Sequence, residues 1–148
     1  MIEYRKGDLL DVKEGIIVHG CNAQGVMGSG VALAIKQKYP DVYETYRYYY
    51  EKTAVKLGDT QFNRVNANLW VINAITQESY GKDGKRYVNY AAICESMLEV
   101  FDYARIFDLC VHFPKIGAGL GGGDWNIIEQ LINDCDPDDS VKKICWEL

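Results

Sequence analysis

The sequence predicts an α/β domain built on a largely parallel sheet, and three observations lead there. Strand candidates alternate with stretches of helical periodicity, the central strand candidates are unbroken apolar runs, and two glycine-rich segments each follow a strand candidate. Alternation of this kind lays helices over a parallel sheet, whose strands are covered on both faces and therefore read as continuous hydrophobic runs.

The first strand is predicted over Ile2 to Arg5, ended by Gly7-Asp8. Gly15 to Gly20 is a short apolar run bounded by glycines, which suits a buried central strand. A Gly/Asn-rich segment from Gly20 to Gly30 leads into a helix over Val31 to Lys38. Pro40 starts another helix, in which Val42, Tyr43, Tyr46, Tyr49 and Tyr50 share one broad face; that face is expected to pack on the sheet with its phenol oxygens wet. Thr60 to Val65 and Leu69 to Ile75 are strand candidates joined by a turn at Asn66-Ala67-Asn68. Thr76 to Arg86 is polar, carries Gly81 and Gly84, and reads as a loop. Val88 to Ala104 repeats apolar residues at helical spacing, and Leu109 to Phe113 is a strand ended by Pro114. Gly117 to Gly123 is the second glycine loop, leading into a helix that Asp124 caps. Val141 to Trp146 closes the chain as a strand.

With 148 residues and no linker or repeat, residues 1–148 form one domain, large enough to bury an ordinary core. The net charge of −5 argues against non-specific binding to nucleic acid, which needs a basic footprint, but leaves room for one anionic ligand held by backbone N–H groups. Five scattered cysteines, odd in number and without a CxxC pair, suit a reducing compartment and no metal or disulfide framework. The polar start and the absence of a long apolar stretch predict neither leader nor membrane span, so the expectation is a cytoplasmic protein with no membrane partner.

The two glycine loops carry the functional signal. The first holds Gly20, Gly25, Gly28 and Gly30; the second holds Gly117, Gly119, Gly121, Gly122 and Gly123. Glycine lets backbone approach a ligand closely, and the free N–H groups of the helix that follows favour an anion. Glycines also make plain tight turns, but two such loops between strands and helices point to a diphosphate held from both sides. No glycine precedes a Lys-Ser or Lys-Thr pair, and neither loop completes a dinucleotide fingerprint, since Leu33 stands at one third-glycine place and no acidic residue follows the other at the required distance. A nicotinamide-dependent oxidoreductase is disfavoured, because the chain leaves no space for a substrate domain.

These residues resemble the macrodomain family over nearly the whole chain. Lys6-Gly-Asp-Leu9 is similar to its opening motif, and Val18-His-Gly-Cys-Asn22 stands where the family has Val-Asn-Ala-Ala-Asn. Gly25-Val-Met-Gly-Ser-Gly-Val-Ala-Leu33 with Tyr39-Pro40, and the run from Pro114 to Trp125, resemble the antidote macrodomains of DNA-modifying toxin–antitoxin pairs. The resemblance implies a three-layer α/β/α fold with a mixed, largely parallel central sheet. It also implies ADP-ribose, or a derivative, as ligand. Asp8 would accept from the adenine amino group beside the Leu9 N–H, and Trp146 would pack on adenine. Asn22 would contact the distal ribose. Gly28, Ser29, Gly30 and Val31 would hold one phosphate, and Gly117, Ala118, Gly119, Leu120, Gly121 and Gly122 would wrap the other.

Macrodomains include readers, ADP-ribosyl hydrolases and ADP-ribose-1″-phosphate phosphatases, so the resemblance alone leaves the chemistry open. Gln77 stands where related hydrolases carry a catalytic lysine; Lys82 or Lys85 can replace it only if their loop folds back over the site. Gly121 stands where one hydrolase of the branch uses an aspartate. His19 and the segment from Ser79 to Tyr90 are closer to the yeast-type phosphatases. The leading expectation is a cofactor-free, metal-independent, monomeric phosphatase on ADP-ribose-1″-phosphate, with catalytic His19 and Asn22. The imidazole titrates near neutral pH and suits acid/base work, although a buried strand-end role stands beside it. Lys115, Arg86 and Lys85 are candidates for the extra phosphate, and His112 reads as a core or pairing residue. Removal of ADP-ribose from protein or nucleic acid, and a non-catalytic reader, are the alternatives.

Overall fold

The computed structural model describes residues 1–148. Six strands, β1 (Glu3–Lys6), β2 (Gly15–Asn22), β3 (Thr60–Arg64), β4 (Leu69–Gln77), β5 (Val111–Phe113) and β6 (Lys143–Glu147), form one sheet in the order β1-β6-β5-β2-β4-β3. Only the β3–β4 pair is antiparallel. The helices are α1 (Gly30–Lys38), α2 (Pro40–Lys52), α3 (Tyr90–Phe107) and α4 (Trp125–Asp134), and a 3-10 turn spans Leu9–Asp11. The three-layer architecture with a mixed, largely parallel sheet is therefore present. No helix is long and apolar enough to cross a membrane.

The unbroken apolar run of β2 serves two cores at once, because successive strand side chains point to opposite faces. Ile16 and Val18 join Ile72, Ala74 and Phe113 beneath α3 and α4, where Ile93, Met97, Phe101, Ile128 and Ile132 pack. Ile17 joins Val71 and Leu69 on the other face, against Ile35 of α1 and Val42 of α2.

Most predicted elements are shifted by a few residues, for local reasons. β2 runs on to Asn22 and β4 to Gln77, since the pair continues through a register shift at Cys21/Asn22. α3 starts at Tyr90 because Asn89 caps it, accepting from the Ala92 N–H at 3.0 Å. Asp108 ends it in the left-handed region (φ 54°), and this turn delays β5 to Val111. β6 starts at Lys143 because the Val141 N–H is engaged by Asp136. Asp124 caps α4 as expected, accepting from the Asn126 N–H at 2.9 Å. The tyrosine face of α2 differs more. Tyr46 is buried and its hydroxyl is not wet, donating to Asn22 O and Oδ1 at 2.6 and 2.8 Å, whereas Tyr49 and Tyr50 are exposed.

One buried ionic cluster fastens the start of β6. Asp136 and Lys143 have fully buried side chains; Asp136 also accepts from Arg105 Nη2 at 2.9 Å and from the Val141 N–H at 3.0 Å. Burial alone would raise the Asp136 carboxyl, but the hydrogen bonds from Lys143, Val141 and Arg105 hold it well below the usual carboxylate range. Removing one partner of a buried pair leaves an uncompensated charge, which costs about 3–5 kcal/mol. Lys143→Met is expected to destabilise by that amount in urea unfolding at pH 7; a change under about 1 kcal/mol would show the pair to be dispensable.

Candidate functional site

Ligand clefts of open α/β sheets form at the carboxyl ends of the strands where the order of connection reverses. Here β2 is followed by elements that lead to β3 and β4 on one side, while α3 carries the chain back across to β5 on the other. Three segments leave the carboxyl ends at this switch point: residues 23–29 after β2, 78–89 after β4, and 114–124 after β5. Between them lies a cleft of about 580 Å³.

The first loop is organised by Asn22. Its Oδ1 accepts from the Gln24 N–H at 2.9 Å and from Tyr46 Oη at 2.8 Å, while its Nδ2 donates to Val26 O at 2.8 Å. The strand end, the loop and α2 thus meet on one amide. Ser29 sits at the α1 N-cap with extended backbone but makes no side-chain capping bond, and the first turn of α1 holds no acidic residue. The opening amides of α1 therefore keep their donors and their positive dipole end for an anion.

In the second loop, Gly123 N donates to Gly117 O at 2.7 Å, which closes it into a compact turn. The segment after β4 lies across this turn as a strap: Tyr87 N and Val88 N both donate to Gly121 O, at 2.7 and 3.0 Å. Gly122 (φ +70°) is needed for that crossing, since a Cβ there would come within 2.3 Å of Lys85 O. The strap then folds back, and Tyr80, Gly81 and Lys82 border the cleft.

Of the residues the sequence singles out, His19, Asn22, Gly28, Ser29, Gly30, Val31, Lys115, Gly117, Gly119, Leu120 and Gly121 border the cleft. Gly122 does not, because the strap occupies its side of the loop, and neither does Ala118, which packs against the core. Asp8, Leu9 and Trp146 also lie outside its walls. Asp8 caps the 3-10 turn, accepting from the Leu10 N–H at 2.9 Å, and Leu9 is buried. Trp146 packs on Gly7, where a Cβ would stand 3.1 Å from its ring, and donates to His112 Nδ1 at 3.0 Å. The β1–β6 pairing sets Arg5 opposite Trp146 and Lys6 opposite Glu147. His112 has the pairing role expected of it.

His19 departs most from expectation. It is 1 % exposed, and its Nε2 lies 2.6 Å from Asn73 Oδ1, whose Nδ2 in turn donates to Gln61. Burial pushes its pKa down to about 4, only partly opposed by the bond to Asn73. At neutral pH it is an uncharged imidazole with its N–H committed inward, so the geometry gives it a packing role rather than that of the titrating group expected. Tyr80 is a wall residue that the sequence does not signal, and Lys82 meets the condition, a loop folded back over the site, on which the sequence admits it; the backbone bonds that fold the strap leave no trace in side-chain pattern. Gln77, in the place of the relatives' lysine, donates to Ser79 O at 2.7 Å. Lys85 and Arg86 point to other partners, Asp83 at 3.8 Å and the Tyr90 ring at 4.7 Å. Lys115 and Lys82 are the cations of the walls; Lys115 pairs with Glu147 at 3.4 Å, and no acidic residue is itself in the wall.

The two histidines make a pH prediction. His112, like His19, is pushed down to about 4, by burial first and then by Arg5 and Lys142. An unfolded chain protonates its histidines near 6.5, so between pH 6.5 and 4 it binds protons that the folded chain refuses, and stability falls as pH drops. The expected loss is on the order of 3 kcal/mol per histidine across that window. Thermal melts at stepped pH check it: the midpoint should fall from pH 6.5 to 4 and flatten in the His19→Gln, His112→Gln double variant, whereas a level wild-type profile would refute the burial account.

Comparison with known proteins identifies the family. Residues 18–132 match the Macro domain family model. The ADP-ribose 1″-phosphate phosphatase of Candida albicans is 26% identical, with 92% of this chain and 94% of that protein covered. The DNA ADP-ribosyl glycohydrolase of Mycobacterium tuberculosis is 30% identical over 89% of this chain, which spans 38% of that longer protein. A macrodomain protein from Streptomyces coelicolor superposes with a TM-score of 0.85 at 30% identity, covering 100% of this chain and 98% of its own. With two glycine loops framing the carboxyl end of a three-layer sheet, this chain belongs to the Macro domain family.

Proposed function

We propose that this protein binds ADP-ribose derivatives in the cleft and hydrolyses ADP-ribose-1″-phosphate to ADP-ribose and inorganic phosphate. The observation that carries the reading is electrostatic: in a chain of net charge −5 no acidic residue borders the cleft, while Lys82 and Lys115 do, the latter 3.4 Å from Glu147 behind the wall, beside two sets of backbone amides. Such a wall suits a ligand with more anionic charge than a diphosphate alone. The Candida albicans phosphatase, similar over nearly the full length of both chains, supports the same choice.

In this reading the opening amides of α1 and those of Gly117 to Gly121 hold the diphosphate. Asn22 shapes the loop that receives the distal ribose and retains one Nδ2 proton beyond its bond to Val26. Water adds across the P–O bond of the 1″-phosphate, and the chain contributes orientation and charge stabilisation by the two lysines. His19 acts by fixing the floor of the cleft.

A second reading, removal of ADP-ribose from a macromolecule, is favoured by one specific feature. Lys82 does fold back into the cleft, the condition under which a strap lysine takes over from the lysine that Gln77 replaces. Paired assays separate the two. Phosphate release from ADP-ribose-1″-phosphate is expected in the wild type and about 10- to 100-fold lower kcat/KM in Lys82→Gln, with ADP-ribosylated DNA left intact by both. Release of ADP-ribose from DNA without phosphatase turnover would overturn the first reading in favour of the second. Asn22→Ala should lose about 10-fold or more in ADP-ribose affinity by calorimetry, because the loop loses its organising amide; an unchanged affinity would remove Asn22 from the site.

A further inference from the structure

Three buried side-chain oxygens have no hydrogen-bond partner in the structure, on Thr60, Thr76 and Asn133. Only Thr76 borders the cleft. It is 1 % exposed and sits one residue before the end of β4, beside Gly20 of β2. A Cβ at Gly20 would lie 2.7 Å from Thr76 Oγ1 and 3.3 Å from Ile116 Cγ2. A side chain at position 20 would therefore collide with this hydroxyl, which is itself closed off from solvent, and Gly20, Thr76 and Ile116 together border the cleft where the two glycine loops begin. The Thr76 carbonyl accepts from the Asn89 N–H at 2.7 Å, and the group without a partner is the side-chain hydroxyl.

A buried hydroxyl without a partner lowers stability, and its shape is reproduced without penalty by valine. A strand interior has no need of such a group. We propose that Thr76 Oγ1, which has no partner within the protein, is a ligand-binding group engaged by an oxygen of the bound ADP-ribose, a ribose hydroxyl or a phosphate oxygen, directly or through one ordered water. Threonine suits this because its hydroxyl both donates and accepts. This inference rests on the reading of the cleft as an ADP-ribose site and adds a floor residue to it.

The prediction is a pair of effects with opposite signs. Thr76→Val should raise the melting midpoint of the free protein by about 3 °C or more, and should weaken ADP-ribose binding by about 3- to 10-fold in calorimetry. Thr76→Ser, which keeps the hydroxyl, should bind within about twofold of wild type. A residue that merely packs would give the reverse pattern, with Thr76→Val at least as good a binder and Thr76→Ser, short of a methyl, the worse one. Equal affinity in Thr76→Val and wild type, or a lower midpoint in Thr76→Val, would overturn the proposal while leaving the cleft reading intact. A wild type that ignores ADP-ribose would remove the cleft reading, and this proposal with it.

Discussion

A parallel strand sealed on both faces meets solvent only where it ends, and the site of this protein is built on that constraint. β2 pairs with β4 on one side and β5 on the other while its side chains fill two cores. At Asn22 the pairing lapses, and the backbone must either find new partners or present its amides to something else. One amide side chain supplies the partners, tying the loop back to α2 through Tyr46. Beyond it the chain enters α1 without a capping side chain, and the amides of that first turn are left to an anion.

The second glycine loop reaches the same place from β5, and it is not independent of the strap. Gly121 O holds the Tyr87 and Val88 amides, so the segment that carries Lys82 to the cleft is anchored on the loop whose amides face it. Glycine at 122 leaves room for the backbone crossing, whereas Gly121 borders the cleft and leaves room for the turn itself, since a Cβ there would stand 2.7 Å from Gly117 O. The charge distribution follows the same logic. The abundant acidic residues of the chain lie elsewhere, several in the cluster around Asp136 and Asp139 that closes on Lys143, at the amino-terminal end of β6.

Much of this was legible in the sequence. The apolar runs marked the central strands because burial on both faces suppresses alternation, and both glycine loops were placed between their strands and helices. The caps at Asn89 and Asp108, and the register shift after Cys21, moved element ends by a few residues because they depend on single backbone conformations. Of the site, the amide-bearing residues of both loops could be read, since glycine content reports backbone freedom. The roles of His19 and of the strap could not. Whether a strand-end imidazole faces a ligand or an Asn73–Gln61 network depends on which neighbours cross the sheet, and Lys82 reaches the cleft through hydrogen bonds between backbone groups that every residue type possesses. Asp8 and Trp146, the residues the resemblance assigns to adenine, lie outside the cleft wall.

The central claim is that backbone amides of two separate loops converge on one ligand. Amide-resolved NMR during titration with ADP-ribose tests it most directly, because it reads the N–H groups themselves rather than a side chain standing in for them. The account predicts saturable shifts concentrated at Gly28 to Val31 and Gly117 to Gly121, following one binding curve. Shifts confined to a single loop, or scattered outside both, would contradict it.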